Sequence, residues 1–255
     1  MKKIESMQNQ TYKEWKKLHK RKGRDKAHKY LIEGPHLVQE ALQSSHEIEA
    51  IIYDVSYEKS EEWKSLGIDE YRLTHELFDQ IAQTETSQGV IAVCKMFNEK
   101  VDLKKGRYLL VDRVQDPGNL GTMIRTADAC GLDAVILGKG TVDQFNDKTL
   151  RSAQGSHFHL PVISNDLVQT INHLQELKVP VYATSLDGVN LQAQATMESS
   201  FAVIVGNEGN GVTDDIQQQA DFKVKIPMFG QAESLNVAVA TGIILYWFRM
   251  KGLAK

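Results

Sequence analysis

Cysteine and proline are scarce in this chain, and long apolar runs are absent. Its 255 residues include two cysteines and five prolines. Cys94 and Cys130 lie far apart and belong to no CxxC or Cys/His pattern, which argues against a disulfide framework and against a zinc site. No apolar run approaches a membrane span, and no apolar region follows the basic N-terminal segment as in a secretory signal. We therefore expect a cytoplasmic protein without a metal or a membrane segment.

A small net charge hides a strong asymmetry. The formal net charge is −3, but residues 1–30 hold eleven Lys/Arg and three Asp/Glu, and the remainder holds nineteen and thirty. A basic arm on an otherwise acidic chain indicates a polyanion partner, and a solvated, frayed terminus is an equally supported alternative. The candidate phosphate-binding residues are Lys16, Lys17, Lys20, Arg21, Lys22, Arg24 and Lys26.

The apolar pattern predicts two α/β units joined by a polar linker. Residues 1–26 form the basic arm, with a short helix that Gly23 is expected to break. Residues 27–97 form the first unit, residues 98–106 the linker and residues 107–255 the second unit. Apolar strands alternating with helices imply a largely parallel sheet covered on both faces. With a hydrophobic content of 42%, a normal core is possible.

A strand, a tight turn and a helix follow one another between Val111 and Gly131. We expect Asn119 to cap this helix and Arg125 to lie on its first two turns. Such connections at the carboxyl end of a parallel sheet are where α/β proteins bind ligands. Taken alone, the segment favours the simpler alternative of an ordinary cap and a surface arginine.

A buried strand then leads Glu208 into a glycine-rich turn. Gly206, Gly209 and Gly211 surround the carboxylate, and glycine permits close approach of the backbone to a ligand. The spacing differs from the dinucleotide GxGxxG pattern, and no Gly-Lys-Ser/Thr of a phosphate loop follows. The alternative is a plain tight turn with an exposed carboxylate.

The third segment runs from Ile226 to Tyr246. The end of a short strand leads through a loop of small residues into a strongly apolar helix, with Ser234 at the predicted cap. A loop that exposes backbone and a few polar side chains at the start of a buried helix suits a ligand. A capping serine before a core helix is the alternative.

The order and spacing of the three segments are far more specific than any one of them. N-L-G-x-x-I-R-T-A-D-A-x-G, V-x-G-N-E-G-x-G-V and I-P-M-x-G-x-x-x-S-L-N-V-A-V-A-T-G resemble the signature motifs of the SpoU (TrmH-like) family. These enzymes are S-adenosylmethionine-dependent RNA 2′-O-ribose methyltransferases of the SPOUT superfamily. Residues 30–41 and 87–93 are similar to the RNA substrate-binding domain, like a small ribosomal protein, that many members carry.

The resemblance implies a fold and a site that residue patterns alone do not give. It implies a deep trefoil knot in the second unit, where general topology rules predict an open doubly wound sheet. The implied cofactor-binding residues for S-adenosylmethionine are Thr184, Ser185, Gly206, Asn207, Gly211, Ile226, Met228 and Leu235. The implied catalytic residues are Asn119, Arg125, Glu208, Ser234 and Asn236.

The role of Arg125 has two alternatives. The family assigns it as general base, but a guanidinium is hardly ever deprotonated in a protein. The alternative is that Arg125 binds the target phosphate and stabilises developing oxyanion charge, while Glu208 fixes its geometry.

The resemblance also implies partners. Family members are homodimers through the knot region, and the apolar closing helix has surface for a partner unless all of it is core. The N-terminal unit favours ribosomal RNA over transfer RNA as substrate. A tRNA 2′-O-methyltransferase, a base-nitrogen methyltransferase and a non-catalytic RNA-binding protein are the alternatives. The intact polar residues argue against the last of these.

Overall fold

The computed structural model describes residues 1–60, 63, 67–84, 86–97, 101–193 and 199–253. The chain divides into two compact units, Met1–Asn98 with Phe145–Phe158, and Glu99–Gln144 with His159–Lys255. Within the described ranges, no helix is both long enough and apolar enough to span a bilayer. In chain order, the elements are β1 (Lys2–Ile4), α1 (Gln10–Lys17), α2 (Arg21–Ala27), β2 (Lys29–Glu33), α3 (Pro35–Gln43), β3 (Ile48–Asp54), β4 (Asp69–Leu73), α4 (His75–Ile81), β5 (Val90–Lys95), β6 (Arg107–Val111), α5 (Pro117–Ala129), β7 (Ala134–Leu137), α6 (Asp147–Ala153), β8 (Val162–Ser164), α7 (Leu167–Glu176), β9 (Val181–Asn190), β10 (Phe201–Val205), α8 (Asp214–Gln219), β11 (Phe222–Lys225) and α9 (Val237–Leu253).

The first unit is built on a mixed sheet with the strand order β1-β4-β3-β5-β2. Strands β1 and β3 run parallel to β4, whereas β5 runs antiparallel to both β3 and β2. Two apolar clusters of this unit contain the buried side chains of both sheet faces.

Residues 1–26 belong to this core, so the predicted boundary at residue 26 is wrong. Tyr12, Trp15 and Leu18 are buried in one cluster with residues of β3 and β4. The ring of Trp15 meets Tyr71 edge-on with centroids 4.9 Å apart. Gly23 does not break a helix but lies within α2, where a Cβ would come within 1.9 Å of the Lys17 carbonyl oxygen. Glycine therefore allows α2 to approach α1 closely.

Residues 145–158 also belong to the first unit, although the sequence predicts them in the second. Phe145 and Leu150 are buried in a cluster with Tyr30, and the rings of Phe145 and Tyr30 lie 4.6 Å apart. Ser156–Phe158 forms a 3-10 turn, and the next strand, β8, begins only at Val162. Apolar side chains alone do not show which of two cores they will join.

The second unit contains a six-stranded parallel sheet of order β11-β9-β10-β6-β7-β8. Helices α7 and α8 cover one face with the cluster that includes Ala202 and Ile204. Helix α9 packs on the other face, where the Phe248 and Phe201 rings are 4.9 Å apart. This confirms the predicted α/β class with a parallel sheet. Of the predicted linker, Leu103 is buried in this core, and residues 98–100 lie outside the described residues.

Candidate active site

The three motif segments begin at one edge of the parallel sheet. Strand β10 pairs with β6 on one side and β9 on the other, and β11 pairs with β9. Because all these strands are parallel, the loops that follow β6, β10 and β11 open at the same carboxyl edge. The segments that the sequence singled out separately are therefore brought together by strand order.

Glu208 fixes the turn that leads into α5. Its carboxylate accepts hydrogen bonds from the backbone N–H of Gln115 at 3.2 Å and of Asp116 at 3.0 Å. The side-chain amide of Asn119 donates to the same carboxylate at 3.1 Å. Burial raises the pKa of Glu208, but these donated hydrogen bonds outweigh it and hold the pKa below its usual value. Glu208 is therefore an ionised anchor with little basicity.

Asn119 joins all three motifs. Its amide nitrogen donates to Glu208, and its amide oxygen accepts from the side chain of Asn236 at 3.0 Å. The oxygen of Asn236 in turn accepts from the N–H groups of Ala238 at 2.9 Å and Val239 at 3.3 Å. The first turn of α9 is thereby tied to the first turn of α5 through two amides.

The helix caps differ from those predicted. Helix α5 begins at Pro117, and its cap is Asp116, which accepts from the Asn119 N–H at 2.8 Å. Helix α9 begins at Val237, and Asn236 rather than Ser234 accepts from its first N–H groups. Asn119 and Ser234 are thus wrong as caps. Asn119 has its side chain available for the network, and Ser234 is exposed on the loop before α9.

The glycine-rich turn after β10 is closed by Asn207. Its backbone N–H and carbonyl exchange hydrogen bonds of 2.9 Å with Gly211, and its side-chain oxygen accepts from the Gly209 N–H at 3.0 Å. A Cβ on Gly206 would lie 2.0 Å from backbone atoms of Gly211 and Val212. Only glycine fits position 206 in this turn.

The other predicted cofactor residues lie on neighbouring loops. Thr184 and Ser185 are half-buried in an irregular part of β9, between the pairs Ala183–Lys223 and Val189–Val224. The Ser185 hydroxyl donates to Asp187. The loop after β11 carries the last set of predicted residues, which are the half-buried Ile226 and Leu235 and the exposed Met228.

These loops leave space and backbone groups for a ligand. Cβ atoms placed on Gly211 or Gly230 would meet no atom within 4 Å. Among the described residues, none from Met228 to Leu235 uses its backbone N–H or carbonyl in a hydrogen bond between loops. Half-buried apolar side chains beside free backbone donors and acceptors fit an adenosine group with a neutral, apolar surface.

Arg125 stands apart from the hydrogen-bonded network. It lies on α5, its side chain is exposed, and within the described ranges it has neither an ion pair nor a hydrogen bond. The predicted contact by which Glu208 would fix Arg125 is therefore not formed, because Glu208 holds the Gln115–Asn119 turn instead. A guanidinium without an internal partner is available to an anionic ligand.

Sequence reasoning missed Gln115 and Arg113. The Gln115 side chain donates to the carbonyls of Arg113 at 3.0 Å and Gly140 at 2.6 Å, which joins the loops after β6 and β7. The Arg113 carbonyl also accepts from the Asn207 side chain at 3.0 Å, and Arg113 has a φ of 57°. Gln115 and Arg113 lie just before Asp116 in the predicted turn, and this position was the signal that could have identified them as residues that join the loops.

A separate cavity of about 230 Å³ opens near the ends of β6 and β7. Its lining residues are Asp112, Arg113, Lys139, Asp166, Leu167, Val168, Thr213, Asp215 and Ile216. None of the predicted catalytic or cofactor residues lines it. Asp112 is used internally, since it accepts from the Thr213 N–H at 2.8 Å and from its hydroxyl at 2.9 Å. In the part of the chain that the structure describes, no group of His, Cys, Asp and Glu side chains has the arrangement of a metal site.

The basic N-terminal residues do not act as one set. Lys17, Lys20, Lys22 and Lys26 are exposed, and Arg21 lies 3.8 Å from Asp25 in an exposed ion pair. Two of the predicted residues serve the fold instead. Arg24 is buried and donates to the carbonyls of Leu18 at 2.9 Å and His19 at 3.0 Å, and the Lys16 ammonium donates to the carbonyl of Gln80.

The similarity of this chain to known proteins extends over nearly its whole length. Residues 106–246 match the SpoU rRNA Methylase family, and residues 9–92 match the MRM3-like substrate binding domain. RlmP of Bacillus subtilis, a 23S rRNA (guanosine(2553)-2′-O)-methyltransferase, is 49% identical over 249 residues, which is 98% of this chain and 100% of that protein. An uncharacterized tRNA/rRNA methyltransferase of Synechocystis is 32% identical over 257 residues, with 95% and 92% coverage.

A solved structure shows the same similarity. The crystal structure of the AdoMet-bound rRNA methyltransferase from Sinorhizobium meliloti matches with a TM-score of 0.87 and 30% identity, covering 98% of this chain and 97% of that one. The similarity therefore extends over both units.

Proposed function

This chain belongs to the SpoU rRNA methylase family, and we propose that it transfers a methyl group from S-adenosylmethionine to a ribose 2′-hydroxyl of 23S ribosomal RNA. The observation that carries the proposal is the hydrogen-bonded chain from Glu208 through Asn119 to Asn236. This hydrogen-bonded chain joins the three motif segments at one edge of the sheet. The loops at that edge carry some half-buried side chains and would leave space for the cofactor.

S-adenosylmethionine supplies an electrophilic methyl group on a sulfonium centre. The loops carrying Gly206, Ile226 and Leu235 would hold it through backbone groups and apolar contacts, with Thr184, Ser185, Asn207, Gly211 and Met228 beside them. The protein's own task is to align the ribose oxygen with the methyl carbon and to assist loss of the hydroxyl proton. Ser234 and Asn236, both exposed at the end of the loop between β11 and α9, would orient the hydroxyl.

Glu208 is a poor candidate for the base that removes this proton. Its oxygens accept from four donors, which are the N–H groups of Gln115 and Asp116 and the side-chain amides of Asn119 and Asn207, and its pKa is lowered. Arg125 remains as the exposed cationic group of the first motif, and a guanidinium is a phosphate ligand far more readily than a base. We therefore assign Arg125 to the phosphate next to the acceptor ribose and to the negative charge that develops on the oxygen.

The Arg125→Ala variant tests this assignment. We expect a loss of methyl transfer of at least about 100-fold, as for removal of one donor to a developing oxyanion, with unchanged S-adenosylmethionine affinity by calorimetry. Arg125→Lys keeps the charge but loses the fork geometry, so it should recover only part of the rate. Near-normal transfer by Arg125→Ala would show that Arg125 is neither the general base nor a ligand of the RNA phosphate.

The target is proposed from the relatives. The match to a substrate-binding domain and to RlmP supports 23S rRNA over tRNA, and we propose the guanosine equivalent to that of RlmP. Choice of RNA over DNA follows from the 2′-hydroxyl itself. Transfer to purified tRNA but not to 23S rRNA would favour the tRNA alternative. Methylguanine bases in the product would favour the base-nitrogen alternative.

The exposed lysines of α1 and α2 are proposed to hold RNA phosphates without reading sequence. The triple change Lys17→Gln, Lys22→Gln and Lys26→Gln should lower the salt dependence of RNA affinity, by roughly 0.7 in slope for each lost phosphate contact on single strands. Lys178→Gln, an exposed lysine of the other unit, is the control. An unchanged slope in the triple variant would exclude this surface.

Helix α9 is proposed as the centre of a homodimer interface. Val239, Ile243, Tyr246 and Met250 are 42–66% exposed and recur at helical spacing along one stripe. We also propose the deep trefoil knot, which the family resemblance implies, and a cytoplasmic location, which the two sparse cysteines favour. Light scattering of Ile243→Glu should show a monomer where the unmodified protein is a dimer. A monomeric unmodified protein would contradict the interface.

A further inference from the structure

Phe229 is exposed far more than a phenylalanine normally is. Its side chain is 91% accessible, whereas Phe222 is 44% and Tyr246 50% accessible. A phenyl ring in water forgoes the favourable burial that aromatic side chains contribute in cores and interfaces. A ring this exposed is available for contact with a molecule outside the described chain.

Phe229 shares a loop with Ser234 and Asn236, two of the proposed catalytic residues. It lies on the loop between β11 and α9, which opens at the carboxyl edge of the sheet. The far end of that loop is Asn236, which is bound to Asn119. Next to Phe229, Gly230 has no atom within 4 Å of an added Cβ. The loop is therefore open on the side of Gly230, and the Phe229 ring itself is almost fully accessible.

A second copy of the chain is a weaker candidate for this contact. The apolar stripe available to a second copy runs along α9, from Val239 to Met250. The loop residues between Phe229 and that helix are glycine, glutamine, alanine, glutamate and serine up to Ser234, and all of those from Gly230 to Ser234 are exposed. Phe229 is thus a single aromatic ring in a polar, open loop, which is typical of stacking on a nucleic-acid base and not of a packed interface.

We propose that Phe229 stacks on the base of the acceptor nucleotide and so presents its ribose 2′-hydroxyl to Ser234 and Asn236. This rests on the proposed function. A nucleotide that enters an enzyme pocket leaves its own stack, and an aromatic side chain replaces part of the lost stacking. Stacking on a side-chain ring tolerates any base, so Phe229 positions the nucleotide without choosing its identity.

Four variants separate stacking from other contacts. In tritium-transfer assays on a 23S rRNA fragment, Phe229→Ala should lower kcat/KM for RNA about 10-fold, which corresponds to about 1.4 kcal/mol of lost stacking. Phe229→Trp should stay within about threefold of the unmodified protein, because its ring also stacks. Phe229→Leu should fall as Phe229→Ala does. Val55→Ala removes another exposed apolar side chain, in the other unit, and should change nothing.

An RNA that lacks the base at the acceptor nucleotide identifies the stacking partner. The unmodified protein should lose about 10-fold on this RNA. Phe229→Ala should lose little more, because the two changes remove the same contact. Losses that multiply, or full activity of Phe229→Leu, would overturn the proposal.

Two further measurements complete the test. S-adenosylmethionine affinity and oligomeric mass should be the same in Phe229→Ala and the unmodified protein. A parallel loss of either would assign the ring to the cofactor or to a second copy, and would overturn the proposal. Transfer to intact RNA by the unmodified protein reports the proposed function separately. Its absence would refute that function, whereas a variant pattern that contradicts stacking would refute only the role of Phe229.

Discussion

Replacing Glu208 with glutamine perturbs the network that joins the three motif segments. The carboxylate accepts from the Gln115 and Asp116 N–H groups and from Asn119 at 3.0–3.2 Å. A glutamine keeps one acceptor oxygen but places an NH₂ group against a backbone donor. Hydrogen bonds to charged groups contribute about 1.5–3 kcal/mol each. Because Glu208 is exposed, solvent screens part of this, and we expect unfolding free energy to fall by about 1–2 kcal/mol.

The effect on turnover should exceed the effect on stability. The turn from Gln115 to Asn119 places the first motif, and a displacement of about 1 Å in a positioned group costs on the order of 100-fold in rate. We expect kcat of Glu208→Gln to fall about 10- to 100-fold, while folding is retained at room temperature. Glu233→Gln is the matched control, since Glu233 is exposed on the loop between β11 and α9 without an ion pair or hydrogen bond in the described chain.

The pH dependence gives a second readout of the same carboxylate. The folded-state pKa of Glu208 is lowered, so its stabilising contribution is fully present above the unfolded value of about 4.3 and is lost as pH falls through the folded value. In urea titrations, the stability difference between the unmodified protein and Glu208→Gln should be constant near neutral pH and shrink below about pH 4. A difference that does not depend on pH, or a variant with normal kcat, would show that Glu208 does not anchor the turn before α5.

Three further predictions concern the turn, the caps and the N-terminal helices. Gly206→Ala should abolish S-adenosylmethionine binding in calorimetry, because the added Cβ would lie 2.0 Å from the Gly211 backbone. Gly209→Ala should bind normally, because the nearest neighbour of its Cβ is 3.7 Å away. Equal affinities of the two variants would contradict the turn geometry. Asn236→Ala should lower unfolding free energy by about 1 kcal/mol through loss of the α9 cap, and Ser234→Ala should leave it unchanged in urea titrations; the reverse order would place the cap at Ser234. Arg24→Gln should destabilise by about 1–3 kcal/mol, because Arg24 is buried against two carbonyls, while Lys22→Gln should not; similar thermal melts for both variants would show that Arg24 is dispensable.

The apolar pattern of the second unit predicts its parallel sheet. Strands β7 and β10 are continuous apolar runs that are buried along their whole length, as expected for strands covered on both faces. The helix caps were less predictable, because several residues near each helix start carry side chains able to cap. Asp116 and Asn119 both qualify, and Pro117 at the first helical position decides for Asp116. Likewise, Asn236 and Ser234 both carry side chains able to cap α9, and they differ only in their distance from the first residue of the helix.

Residue patterns do not predict which parts of the chain pack together over long sequence distances. Phe145 and Leu150 are ordinary apolar residues in the sequence, and only tertiary structure assigns them to the first unit. Arg24 reads as one more cation of a basic arm, yet it is buried against the carbonyls of Leu18 and His19. The link from Asn119 to Asn236 spans residues far apart in sequence, and its hydrogen bonds follow from strand order in the sheet.

The activity that we propose for this protein is methylation of a ribose in 23S rRNA. The most direct measurement combines the purified protein and S-adenosylmethionine with 23S rRNA from cells that lack the gene, followed by mapping of 2′-O-methyl positions and nucleoside mass spectrometry. We expect one new 2′-O-methylguanosine at the position equivalent to that of RlmP, and none with Arg125→Ala. Unmodified rRNA, or a methyl group on a base, would contradict it.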